Sequence, residues 1–272
     1  MASSSTDLTK APPKALIFDV FGTVVNWRKT VTTTLIYGAA AKVSSSSRSA
    51  DLSPEVRRRL SELTDELWEQ FAQQWRDAYK AFVKGYKPNE DPWRDIDTHH
   101  RLSLIDLLKT WRLEGLYNED EVEDLSKVWH FLEPWPDSSS GLHMLGTRFI
   151  TSTLSNGNQS LLKDLKENGN LSFKMLQSSE DFKAYNPHPS TYMGAAKKMG
   201  LKPDEVAMVA AHLVDLQAAR NCGFKTIYVE RKQEEDWSRN DKEYLDAKTW
   251  VDMWVTEDED GFVELARRFG ID

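Results

Sequence analysis

Ala15-Leu16-Ile17-Phe18-Asp19-Val20-Phe21-Gly22-Thr23 is the stretch that decides the fold of this chain. An unbroken apolar run, closed by an acid and a turn glycine, describes a strand buried on both faces rather than one with a wet side. Strands of that kind belong to parallel sheets. Asp19 then stands at the carboxyl end of its strand, where open α/β sheets receive their ligands. Beyond it, residues 26–125 change texture to long helical patterns without a convincing strand. One helix there opens at Ser53-Pro54-Glu55, with an N-cap serine and a proline at the first helical position. After Trp135-Pro136-Asp137 the alternation of strand and helix resumes. Strands are expected at 148–154, 173–177, 205–211 and 225–229, and helices at 159–168, 189–199 and 215–222. The expected fold class is α/β, a doubly wound parallel sheet with a helical cap domain inserted after the first strand.

The expected domains are a flexible tail at 1–14, an α/β core from 15–26 and 126–272, and a helical cap at 27–125. The serine run at 44–49 is expected to be a flexible loop between helices. Of 272 residues, 40% are apolar and 29% charged, which is ordinary for a soluble globular protein. A formal charge of −8 disfavours nucleic acid and anionic lipid as partners and leaves a small molecule as the better candidate. No apolar run approaches the roughly 18 residues of a membrane span. The polar, proline-bearing start MASSSTDLTKAPPK lacks the apolar stretch of a secretory signal. Cys222 is the single cysteine and no Cys/His set has zinc spacing, so neither a disulfide nor a metal is expected and a cytoplasmic home is. Ten tryptophans suit core packing, or alternatively an aromatic substrate wall.

If the alternation is right, polar groups should gather just after each strand. They do: Asp19 and Thr23 follow the first, Ser155-Asn156-Gly157-Asn158 the second, Tyr185-Asn186-Pro187 the third, and Ala210-Ala211-His212 with Asp215 the fourth. One rim would therefore collect all of them.

These segments resemble the signature motifs of the haloacid dehalogenase superfamily, in particular its type II 2-haloacid dehalogenases. The stretches that carry the resemblance are FDVFGTVVNWR, WRDAY, DTHHRLSLIDLL, EPWPD, LSNGN, AYNPHPSTY and VAAHLVDLQAARNCGFKTIYVER, in order along the chain. The resemblance implies that Asp19 displaces halide from C2 of a small 2-halocarboxylate and forms an aspartyl ester, which water then hydrolyses to the 2-hydroxy acid. It implies no cofactor and no metal. Thr23, Ser155 and Asn156 fall where the family places hydrogen-bond donors to substrate and nucleophile, although turn and cap duty would also suit them. Asp215 matches the acid that positions the water, or is an N-cap acid. Arg76 matches the arginine that engages carboxylate or halide, a role guanidinium fits by being permanently charged and weakly hydrated. Tyr192 matches a tyrosine on the halide side, with core packing as the alternative. The family often forms homodimers through the helical insertion, and the aromatic stretch at 68–93 is the candidate contact here.

Three positions bear on the chemistry. Phe21 occupies the place where metal-dependent phosphatases of the superfamily carry a second acid, and an aromatic can neither ligate magnesium nor donate a proton. Asn186 occupies the place of a lysine that neutralises the nucleophile, so an uncharged amide stands where a cation is usual; Lys183 would compensate only if its loop bends back. His212 and Ala210 stand where the best-known members have asparagine and serine. His212 can still donate a hydrogen bond near neutral pH, or is a structural histidine.

Overall fold

The computed structural model describes residues 7–44 and 52–272. Most of the serine run therefore lies outside the described residues, as do the first six residues of the expected tail. The remainder of that tail is not loose: Leu8 is 1% exposed, within a turn closed by the Lys10 and Ala11 amides on the Asp7 carbonyl. Burying a leucine is worth about 1.5–3 kcal/mol, which offsets part of the cost of ordering this segment.

The chain forms two compact units, one made of the chain up to Asn26 with Pro134–Asp272, the other of Trp27–Glu133. The first unit is built on a parallel sheet of five strands: β1 (Ala15–Phe18), β2 (Ile150–Thr153), β3 (Val206–Ala210), β4 (Lys225–Val229) and β5 (Met253–Val255), in the order β2-β1-β3-β4-β5. All four residues of β1 are fully buried, as its apolar run requires. Phe18 aligns with Thr153 on one side and Val209 on the other, so the ends of three strands come level beside Asp19.

The helices of this unit are α6 (Ser138–Leu145), α7 (Gln159–Asn168), α8 (Pro189–Lys198), α9 (Leu213–Asn221), α10 (Lys242–Trp250) and α11 (Gly261–Arg268), following five among the described residues of the other unit. Gly141 lets α6 and α11 touch, since a Cβ there would meet the Phe262 backbone at 2.6 Å. Helices α6, α10 and α11 were not among the expected elements, and two strands differ from the expectation. Residues 173–177 form no strand; only the isolated bridges Ser152 to Met175 and Ser155 to Ser178 run along β2. Thr153 Oγ1 both accepts from the Gln177 amide and donates to the Gln177 carbonyl, so a side chain takes the place of ladder bonds. The other difference is β5, too short to announce itself, which the Glu230 amide extends by donating to the Val255 carbonyl at 2.9 Å.

The second unit contains helices α1 (Trp27–Ser44), α2 (Pro54–Ser61), α3 (Asp65–Gly85), α4 (Ile96–Thr110) and α5 (Glu119–Ser126), with no strand among its described residues. Side-chain caps start α2 to α5: Ser53, Thr64, Asp95 and Asn118 each accept from a backbone amide in the first turn. On α3, Trp68, Phe71, Ala72, Trp75, Arg76 and Tyr79 are buried at helical spacing. Trp129 gathers this interior, stacked with His100 at 4.4 Å between centroids and met edge-on by Trp75 at 5.4 Å. These tryptophans pack the core. No helix among the described residues is long and apolar enough to cross a membrane.

Candidate active site

The turn after β1 presents Asp19. Its amide donates to the Val209 carbonyl at 3.0 Å, which fixes the backbone against β3. The side chain is 16% exposed and its Oδ2 takes two contacts. Thr23 Oγ1 donates to it at 2.7 Å, and His212 Nδ1 lies 3.0 Å away. Thr23 is held in turn, because its hydroxyl oxygen accepts from the Ala211 amide at 2.9 Å. One threonine thus joins the loops after β1 and β3. Phe21 is buried and packs beside Gly157, whose missing side chain leaves it room.

A brace lies behind the turn. Arg231 grips Asp137 with two bonds of 2.6 and 2.8 Å and donates through Nε to the Thr23 carbonyl at 3.0 Å. Asp137 also accepts from the Phe262 amide at 2.7 Å. Fork-on-carboxylate geometry of this kind resists rotation as well as separation.

His212 precedes α9 and its ring is flanked by acids. Nδ1 faces Asp19, and Nε2 faces Glu234 Oε2 at 3.4 Å, an ion-pair separation longer than a good hydrogen bond. Burial lowers the histidine's proton affinity, but its hydrogen bond to Asp19, its close contact with Glu234 and the charges of both outweigh that and push its pKa up to about 10. Gly22 makes room for Glu234: its φ is +88°, and a Cβ there would sit 2.1 Å from the carboxylate. Asp215, in the first turn of α9, accepts from the Tyr192 hydroxyl. Burial, then the negative charge of Asp19, raise its pKa to about 7, against the opposing pull of Tyr192 and His212. Tyr192 is itself pushed well above the ordinary tyrosine range by burial and by Asp215, so it stays a donor.

The remaining candidates are placed less directly. Ser155 is buried, and its hydroxyl accepts from the Gly157 amide at 3.3 Å. Asn156 ties loops together: its carbonyl oxygen accepts from Ser179 at 2.6 Å and from the Asn186 amide at 2.7 Å, and its amide donates to the Asn186 carbonyl at 3.3 Å. Asn186 donates its own side-chain amide to the Leu154 carbonyl at 3.3 Å. Lys183 is exposed, in a left-handed conformation at φ 50°, after the single turn Ser179–Phe182. Arg76 belongs to the helical unit, where its guanidinium lies 4.6 Å over the Tyr79 ring and 5.7 Å from that of Trp27.

The structure thus brings Asp19, Thr23, His212, Asp215 and Tyr192 together and adds Glu234, Arg231 and Asp137, which the sequence reading had not singled out. Arg231 closes a motif quoted above. Glu234 sits in the run Gln233-Glu234-Glu235-Asp236, whose composition describes a solvated turn; its 5% exposure is a tertiary fact.

Comparison with known proteins fits this arrangement. (S)-2-haloacid dehalogenase 1 of Pseudomonas sp. strain CBS-3 is 31% identical over 121 residues, 43% of this chain and 53% of that protein. The 4A enzyme of Burkholderia cepacia is 30% identical over 135 residues, 47% of this chain and 58% of that protein. The chain spans about half the length of the curated relatives it matches. Among solved structures, a defluorinating L-2-haloacid dehalogenase superposes with a TM-score of 0.76 at 29% identity, covering 99% of this chain and 100% of the other. A second L-2-haloacid dehalogenase gives 0.73 at 29% identity, covering 94% and 99%. The sequence profile of haloacid dehalogenase-like hydrolases matches residues 13–223, well over half of the chain, and the protein belongs to that family.

Proposed function

We propose that the protein hydrolyses the carbon–halogen bond of a short 2-halocarboxylate. An oxygen of Asp19 attacks C2, and halide leaves with the bonding electrons. Water then adds to the carbonyl carbon of the resulting aspartyl ester. The 2-hydroxy acid departs, Asp19 is restored, and one proton is released to solvent. The observation that carries this reading is the setting of Asp19: a strand-end carboxylate oriented by Thr23 and His212, with Phe21 where a metal-using relative needs an acid. Asp215, poised to gain or lose a proton near pH 7, is suited to take one from the attacking water. Arg76 is assigned an anion-binding role on chemical grounds, as a permanently charged and weakly hydrated group.

A second reading, a relative that binds a small acid without turnover, is favoured by Asn186, whose uncharged amide is engaged with the Leu154 carbonyl. Chloride release from 2-chloropropionate separates the two. Turnover in heavy-oxygen water should place label on Asp19, and Asp19→Asn should cost roughly 10⁴-fold or more. An active enzyme with unlabelled Asp19 would rule out the ester; absence of halide release from any short 2-haloacid would leave the binding-only reading.

A further inference from the structure

We propose that His212 is a standing imidazolium clamped between Asp19 and Glu234, and that Glu234 is the positioning residue that keeps it charged, so that the nucleophile and an anionic substrate share a local cation. The inference rests on the reading of Asp19 as nucleophile but concerns the charge of a different group. A neutral imidazole has one donor and one acceptor nitrogen. Here both nitrogens face carboxylate oxygens, at 3.0 Å from Asp19 and 3.4 Å from Glu234, so a neutral ring would turn a lone pair toward one of two anions. Protonation on both sides removes that repulsion and turns each contact into an attraction. The His212 side chain is 17% exposed and that of Glu234 4%, so water screens the pair poorly.

The charges around the ring are acidic on each side that packs against it. Asp19 comes from the end of β1, Glu234 from the loop after β4, and Asp215 from α9 itself. Glu235 follows Glu234, accepts from the Leu213 amide at 2.7 Å, and feels the His212 charge. An anionic substrate brought beside these carboxylates needs a compensating positive charge, and the flanked imidazole supplies it. The raised pKa of His212 agrees. Gly22 fits the same purpose, since its bare backbone at φ +88° admits the Glu234 carboxylate. A ring held as imidazolium cannot also act as general base, so the proposal separates His212 from the task assigned to Asp215.

The test is nitrogen-15 NMR of histidine-labelled full-length protein, with His212→Asn used to assign the ring. Both His212 nitrogens should show protonated shifts from pH 6 to beyond pH 9. Glu234→Gln should lower the ring's titration midpoint by about two pH units, while Glu234→Asp, which keeps the charge, should restore most of it. In chloride release, Glu234→Gln should lose about tenfold more activity at pH 9 than at pH 6, because a midpoint moved from about 10 to about 8 leaves roughly a tenth of the rings charged at pH 9. A neutral, single-tautomer ring at pH 7.5 in the wild type would overturn the proposal. So would a midpoint unmoved by Glu234→Gln. The ring titration reads the clamp without turnover: a charged ring in a protein that releases no halide leaves the clamp standing and defeats the dehalogenase reading, whereas turnover with a neutral ring does the reverse.

Discussion

Two histidines, one in each unit, answer burial in opposite ways. His100 in the helical unit is 1% exposed, stacked on Trp129, and driven well below the ordinary histidine range by burial and by the nearby His99, Arg76 and His130. His212 at the strand ends is also poorly solvated, but carboxylates on two sides reverse the outcome. Desolvation sets a cost that any charged ring must meet; partners decide whether it is met. The helical interior therefore uses histidine as a neutral aromatic plate, and the sheet rim uses it as an ion. The aromatics around His100 do not make up for a carboxylate, because a ring quadrupole stabilises a desolvated cation by about 2 kcal/mol, against several kcal/mol that burial removes.

The sharpest way to break the contrast is to remove the ion at the rim. His212→Asn keeps a hydrogen-bond donor but not the charge, and should lower chloride release from 2-chloropropionate by about 10²–10³-fold, the range found when a preorganised electrostatic group is lost. A loss below threefold would mean that the charge is irrelevant to turnover. Thr23→Val tests how far the rim depends on geometry alone. It deletes the donor to Asp19 and leaves the Ala211 amide without its 2.9 Å partner, so urea unfolding should show a loss of about 1–3 kcal/mol and activity should fall about tenfold.

The smallest effects lie in the pH dependence of melting, where the two histidine types should part. His99 has its pKa lowered to about 4 and His100 lies well below 6.5, so the unfolded chain takes up protons first as pH falls. Stability is then unaffected by them above about pH 6.5 and is lost below it. His212 runs the other way: its contribution is full below about pH 6.5 and is lost as pH rises through about 10. A His99→Gln, His100→Phe variant should lose roughly 3–6 °C less than wild type between pH 7 and pH 4.5 by calorimetry. In His212→Asn, the deficit in Tm against wild type should shrink between pH 7 and pH 10. Equal acid sensitivity in the first variant would remove its histidines from the account.

Legibility followed the range of the forces involved. β1 and Asp19 were readable because an apolar run ended by an acid is a local signal, and α7 matched its expected bounds for the same reason of local periodicity. Thr23 was readable as a residue near Asp19, but its bond to Ala211, 188 residues away, was not. Asn156, expected as a hydrogen-bond donor to substrate or nucleophile, makes one bond with Ser179 and two with Asn186, partners 23 and 30 residues away that no local signal announces. Lys183 was conceivable as a stand-in cation, and the left-handed turn leaves it exposed. Glu234 was invisible because nothing local distinguishes a buried acid in an acidic run from its solvated neighbours. What separates them is a vacancy on the facing strand turn.

That vacancy ties two distant positions into one mutational unit. With no side chain at Gly22, the Glu234 carboxylate occupies the space a methyl group would need, at 2.1 Å. Any residue larger than glycine at 22 must either expel the acid or be accompanied by a shorter residue at 234, and the positive φ adds a second penalty to the exchange. In a deep mutational library a larger residue at 22 should therefore be tolerated only alongside a shorter one at 234, whereas 234 can change alone. A tolerated pair would be recognisable by its chemistry, since the rim would have given up its second carboxylate and, with it, the histidine's charge.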